Sequence, residues 1–384
     1  MTRTAHVPNT TLSPTEVVLA LLRPLDVPAA ERRIEATLGC RSVLFASARG
    51  ALAAAIEVTC ANGAVAVPAF TCAAVANAVL SAGKQPVYVD VDGCGLAPAG
   101  AWPRNALPIV QDTYGFSAPT PARPFVRDMA HRTFPLGLDG ALVAVTSFEH
   151  SKSLSAGRGG LALTDDTTLA ERLREIRDRN APPTRRVRSV LVTLVTIAMG
   201  RLDYRGQHGA AELFRKVAWH MDANRLLGQS DRELAGHGVD AELRGRPDRS
   251  AARLVVSQLR DAATVAHHRR RIVSIYDGMA KLERDPLPLV RYPLVATSVT
   301  DFERALLRAG WDVRGRWFSA PLHPGRANQS ALGYVAGSAP GAESLAASVV
   351  NLPTHPLVRD GDAESMIRAA IDAGARPLRV DDGH

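Results

Sequence analysis

The sequence predicts an α/β protein: a mostly parallel sheet covered by helices on both faces, followed by a smaller C-terminal α+β unit. Three observations carry this reading. Short apolar runs alternate with alanine-rich helical stretches between Val43 and Arg179, and strands of near-continuous apolar character belong to sheets buried on both sides. From Pro288 the pattern changes to shorter, mixed elements. The chain has 384 residues, 46% of them hydrophobic, enough for roughly two to three domain-sized units with a large core.

In chain order, Ser13-Pro14-Thr15-Glu16 opens a helix with a capping box and proline at the first helical position. A strand at Val43–Phe45 leads to a helix near Arg49–Thr59, and a strand at Ala64–Val67 to a helix near Cys72–Ala82. Further strands are expected at Pro86–Val91, Pro108–Val110, Phe125–Val126, Leu142–Thr146 and Leu161–Thr164, before a helix near Thr167–Arg179. Asn180–Arg246 is arginine-rich and irregular, and defines no element. A long helix near Ser250–Lys281 follows, then a strand near Val290–Val295 and helices near Asp301–Ala309 and Asp362–Ala373. The expected division is a large domain over 1–246, with 180–246 as a divergent segment, and a connecting helix plus small domain over 247–384.

The formal charge is +8, and only four of the 46 basic residues are lysines: Lys84, Lys152, Lys216 and Lys281. The arginines are spread along the chain, as on a solvated basic exterior; a preference for anionic ligands is the alternative. No basic stripe interleaved with aromatics is present, so no nucleic-acid partner is expected. Cys40, Cys60, Cys72 and Cys94 form no CxxC pair; this argues against zinc and redox motifs and suits a reducing cytoplasm. No metal is expected. Met1–Asn9 lacks the apolar core of a secretory signal. The longest apolar run, Ser189–Gly200, is short of the ~20 residues that span a bilayer. Arg185, Arg186 and Arg188 lead into it. It reads as a buried helix or dimer contact, or as a segment touching an anionic membrane surface.

Three segments carry chemistry. Lys84, Lys216 and Lys281 sit in turn-like or arginine-rich surroundings that suit solvated lysines. Lys152 instead follows the strand Leu142–Thr146 and precedes Gly157-Arg158-Gly159-Gly160. Loops at the carboxyl ends of parallel strands are where open α/β sheets bind ligands, so Lys152 is a candidate for imine formation, a structural lysine being the alternative. Asp128 ends the strand that begins Phe125-Val126, and His131 follows three residues later. Such an acid can hold a buried cation or simply form a turn. Ser47-Ala48-Arg49-Gly50-Ala51 lies between a strand and a helix; it is either an anion site, with Arg49 adding a charged contact, or an ordinary serine cap.

In this order the three segments resemble the DegT/DnrJ/EryC1/StrS family of pyridoxal-phosphate (PLP)-dependent sugar aminotransferases. The resemblance continues through Val67–Asp92, Tyr114-Gly115, the lysine segment Thr146–Asp166, and the C-terminal Ala320-Pro321-Leu322-His323 with Ala342–Pro356. It covers most of Arg41–Ala373. It implies a fold-type-I PLP-dependent transferase with a sheet of the seven-stranded type. It further implies a homodimer with shared active sites, and amino transfer from an amino acid, glutamate, to a keto sugar, nucleotide-linked, in polysaccharide or natural-product biosynthesis. By position, Lys152 would carry PLP as a Schiff base and shuttle the proton. Asp128 would pair with the pyridine nitrogen, and His131 would approach the phenolic oxygen. Ser147, Ala48 and Arg49 would hold the phosphate, Cys72 would face the ring, and His323 and Tyr114 would serve the substrate.

The chain also departs from the family pattern. Ala48-Arg49 replaces a Gly-Thr pair, Cys72 replaces an aromatic stacking residue, and Ser153 stands where asparagine is usual. The partner-subunit phosphate motif would be Arg244-Gly245-Arg246. Fourteen positions separate Tyr114 from Asp128, so a helix between their strands is expected to be missing. These departures keep other readings open: a PLP enzyme acting on a cyclitol or natural-product intermediate, a dehydratase, and a PLP-binding protein that has lost turnover. Retention of Lys152 argues against the dehydratase branch, where histidine usually replaces it.

Overall fold

The computed structural model describes residues 2–61, 63–93, 98–180, 186–221 and 228–379; Cys94 and Arg185 lie outside them. After a two-residue strand β1 (Arg3–Thr4) come helices α1 (Pro14–Leu22) and α2 (Val27–Leu38). The capping box at Ser13 forms as expected: Ser13 Oγ accepts the Glu16 N–H, and the Glu16 carboxylate accepts the Ser13 N–H. The sheet strands are β2 (Arg41–Phe45), β3 (Ala64–Pro68), β5 (Gln85–Val89), β6 (Leu107–Gln111), β7 (Val126–Asp128), β8 (Val143–Ser147) and β9 (Gly160–Thr164). They lie in the order β2-β9-β8-β7-β6-β3-β5. Strand β9 is antiparallel to both its neighbours and the remaining pairings are parallel. The short β4 (Thr71–Cys72) stands outside this sheet.

Both faces are covered, as the apolar runs require. Val43 and Phe45 pack on one side with Ile56 of helix α3 (Ala48–Thr59), whereas Leu44 between them packs on the other with Val190 and Val255. Helix α4 (Ala73–Ser81) and helix α5 (Thr167–Asp178) flank the same sheet. The alanines of α3 let it approach closely. A Cβ on Gly50 would lie 2.2 Å from the Leu243 carbonyl, and one on Gly160 2.3 Å from the Ala48 nitrogen. The start of α3 is thus wedged between β9 and the helical turn Ala241–Arg244.

The segment after Asn180 is helical where described: α6 (Arg186–Tyr204) and α7 (His208–His220) pack on each other, and α6 also packs on α1. The apolar run lies in α6, with Val190, Val192 and Ile197 buried and Val187 and Leu191 exposed. Among the described residues, no helix is long and apolar enough to cross a membrane. The expected helix Ser250–Lys281 is in fact two, Arg249–Arg260 and Ala262–Met279, broken at Asp261. Between β6 and β7 only a 3-10 turn, Thr113–Gly115, remains where a helix was expected to be missing.

The C-terminal part carries a three-stranded antiparallel sheet of β13 (Val349–Pro353), β10 (Arg291–Val295) and β14 (Arg376–Pro377). Two pairings tie it to the rest. Strand β1 runs parallel to β11 (Trp311–Asp312), so the first residues join the C-terminal unit. Strand β12 (Leu322–His323) runs parallel to β4, which places His323 opposite Cys72.

Candidate active site

The carboxyl ends of β7 and β8 and the start of α3 converge on a cavity of about 280 Å³, closed on one side by residues 317–326. Of the residues singled out in the sequence, Ala48, Arg49, Cys72, Asp128, His131, Ser147, Lys152 and His323 line it. Tyr114 does not.

Asp128 ends β7. Its Oδ1 accepts the Ala130 N–H at 2.9 Å. Burial, opposed by that bond and by Lys152, pushes its carboxyl up to about 6. His131 Nδ1 accepts the Tyr114 N–H at 3.1 Å, which leaves the ring proton on Nε2. Burial and then the charge of Lys152 hold the imidazole well below its usual value, so it is neutral at pH 7. Its ring stacks on Trp317, with centroids 4.7 Å apart and planes 17° off parallel.

Tyr114, expected at the substrate, is wholly buried. Its hydroxyl accepts from Asn351 Nδ2 at 2.9 Å, and its backbone has a positive φ of 58°. This residue orients His131 through its N–H and lies behind the cavity, because the 3-10 turn folds its ring back into the core.

Lys152 follows β8 in a turn closed by its own N–H to the Glu149 carbonyl at 3.0 Å. Its Nζ lies 5.1 Å from the Trp317 ring centre. Ser153 accounts for one departure from the family pattern: its hydroxyl donates to the His131 carbonyl at 3.1 Å, fixing the lysine turn to the histidine turn.

The start of α3 is capped by Ser47, which accepts the Gly50 N–H at 3.1 Å. The Arg49 guanidinium, expected to reach a phosphate, is engaged elsewhere. It donates to Glu233 Oε2 at 2.6 Å, Glu149 Oε1 at 2.8 Å and the Gly228 carbonyl at 3.0 Å. Two carboxylates built into the fold hold the guanidinium there. Burial raises the Glu149 carboxyl, but Arg49 and Lys152 outweigh it and Glu149 stays ionised. Of the motif that the resemblance gives to the partner subunit's phosphate, Arg244 faces Glu57 at 3.6 Å and Arg246 grips Asp178 with two 2.6 Å bonds.

Cys72 caps α4 and lines the cavity; its Sγ accepts from Gln229 Nε2 at 3.3 Å. Burial, offset in part by Lys152, raises its thiol, so it is neutral. His323 is held at about 4 by burial and then by Arg291 and Lys152; its Nδ1 is buried without a hydrogen-bond partner.

Sequence reasoning missed Glu149, Gln229, Glu233 and Trp317. Glu149 had a signal, an acid three residues before the lysine, and Trp317 stands six residues before His323. Gln229 and Glu233 fall in the segment that defined no element.

Residues 27–99 match the model of the DegT/DnrJ/EryC1/StrS aminotransferase family. Over that stretch the chain is similar to that family. Solved structures agree in fold along nearly the whole length. The aminotransferase PseC of Helicobacter pylori, involved in the biosynthesis of pseudoaminic acid, is 15% identical with a TM-score of 0.66, over 97% of this chain and 99% of that one. A DegT DnrJ EryC1 StrS aminotransferase from Brucella abortus is 21% identical with a TM-score of 0.63, over 95% of each chain. The E. coli GDP-4-keto-6-deoxy-D-mannose-3-dehydratase, solved with bound hydrated PLP, is 14% identical with a TM-score of 0.66, over 96% and 100%. With these structures the chain shares its fold.

Proposed function

We propose that this chain is a PLP-dependent aminotransferase that moves an amino group from an amino acid, glutamate, to the keto group of a nucleotide-linked sugar. The carrying observation is the shared cavity of Lys152, Asp128 and His131: none of the other three lysines lines it. Bound PLP would supply an electron sink for bond cleavage at the substrate Cα.

The residues present fit that group at its ring end. Burial pushes the Asp128 carboxyl up to about 6 against the pull of Lys152; a protonated ring nitrogen beside it would favour the ionised form. His131, with its proton on Nε2, would offer that N–H to the ring oxygen. Cys72 and Trp317 are the candidates for the two ring faces. At the phosphate end the donors are the first N–H groups of α3, at Ala48 and Arg49, with the Ser147 hydroxyl; the Arg49 side chain is not among them.

In this reading Lys152 would hold the cofactor and its Nζ would carry the proton taken from the substrate Cα. Asp128 would keep the proton at the ring nitrogen. Neutral His131 and His323 act as hydrogen-bonding groups, not charges. The assembly is read as a homodimer with shared active sites. Exposed Leu213 and Trp219 of α7 give it apolar surface to bury, and light scattering measures it directly.

The test is spectroscopic. Purified protein loaded with PLP is expected to absorb in the visible. Glutamate should bleach that band and release 2-oxoglutarate, and keto-sugar nucleotides should restore it with formation of an amino sugar. A stable chromophore that no amino acid alters would instead support a PLP-binding protein without turnover.

A further inference from the structure

Residues 3–12 form a strap between the C-terminal unit and the lysine turn. At its start β1 pairs with β11, and the Ala5 carbonyl meets His355 Nε2 at 2.8 Å. Further on stands Asn9, 1% exposed and in the left-handed region with a φ of 51°. A backbone in that region persists only where its surroundings over-determine it, and here those surroundings are the two sides of the lysine turn.

The Asn9 N–H donates to the His150 carbonyl at 2.7 Å, and Asn9 Oδ1 accepts the Ser155 hydroxyl at 2.6 Å. Lys152 therefore lies between two residues held by a single residue 146 positions before Ser155. Asn9 Nδ2 donates to Thr196 Oγ1 of α6 at 2.7 Å. That threonine commits its own proton to the Val192 carbonyl at 2.9 Å, so it must accept from the amide, and Oδ1 is left to face Ser155. Thr11 adds a second hold, its hydroxyl accepting the Ser155 N–H at 3.0 Å. Helix α6 fits closely around these contacts: a Cβ on Gly157 would lie 2.4 Å from Thr193 Oγ1, and one on Gly200 3.1 Å from Pro8. Asn9 itself does not line the cavity.

We propose that Asn9 is a positioning residue for Lys152, clamping the lysine turn at residues 150 and 155 and so fixing where Nζ stands. The inference rests on the amino-transfer reading, because a lysine that bonds a cofactor and moves a proton needs such aim. A misplacement of about 1 Å slows a reaction of this kind about a hundredfold.

Two variants test it. Asn9→Gly keeps the N–H and tolerates the positive φ while deleting both side-chain bonds. Ser155→Ala cuts the same link from the side of the turn, and carries the test alone if Asn9→Gly does not fold. Each is loaded with PLP and measured for the pH at which its visible band titrates, for kcat and KM with glutamate, and for melting temperature. Both are expected to shift the titration of the band and to lose kcat by about ten- to a hundredfold at unchanged KM. The double variant is expected to be no worse than the poorer single one, since both changes cut one link. A lowered melting temperature with the band and kcat of wild type, in both variants, overturns the role and leaves Asn9 an anchor of the chain. Losses that multiply in the double variant overturn it as well, because the two residues then act separately. If glutamate does not alter the wild-type band, amino transfer falls and the titration of that band still decides the role of Asn9. A wild type that forms no band removes both.

Discussion

Arg49 Nη1 lies 2.6 Å from Glu233 Oε2, with the two side chains 5% and 1% exposed. Together with Glu149 at 2.8 Å, the pair clasps the start of α3 to the lysine turn and to the helical turn Asp231–Leu234. A residue that looked in sequence like a phosphate ligand is therefore a buried strut of the cavity wall.

Removing one partner of a buried ion pair leaves the other uncompensated, at a cost of about 3–5 kcal/mol. Arg49→Ala is expected to lose stability on that scale in urea unfolding. Arg49→Ala combined with Glu233→Gln is expected to regain part of it, because one orphaned carboxylate is gone. Wild-type stability of Arg49→Ala with a selective loss of PLP affinity would restore the phosphate role.

Asp128 makes a pH-dependent prediction for the cofactor-free protein. Its carboxyl ionises near 6 when folded against 3.8 unfolded, so between those values the folded state binds more protons. Its stability contribution is full below about pH 4 and is lost as pH rises through 6. The shift corresponds to about 3 kcal/mol. Asp128→Asn should therefore be the more stable protein at pH 8 and match wild type near pH 4 in thermal melts. Loaded with PLP, the same variant should turn over slower by orders of magnitude.

Lys152→Ala should keep the melting temperature of the parent and lose any borohydride-fixable chromophore. A reducible visible band in the purified variant would move the assignment to another lysine.

Gly50→Ala tests the wedge at the start of α3. The added methyl would meet the Leu243 carbonyl at 2.2 Å and Arg244 Cα at 2.8 Å, both backbone atoms. A loss of about 1–3 kcal/mol in chemical denaturation is expected. A neutral effect would show that the turn Ala241–Arg244 shifts freely.

The sequence by itself determined the alternation of buried strands and helices, because a strand covered on both faces must be apolar at every position. Val143–Ser147 and Gly160–Thr164, buried throughout, show why it was readable. It also determined which lysine, aspartate and histidine follow the strand ends, since Lys152, Asp128 and His131 lie in short local motifs. Only the tertiary structure decided where long side chains point. The Arg49 fork went to Glu233, 184 positions away, and the Tyr114 ring went to Asn351, 237 away. Local spacing holds no record of such partners. Charge compensation is settled by distance in space, which the order of residues along the chain does not encode.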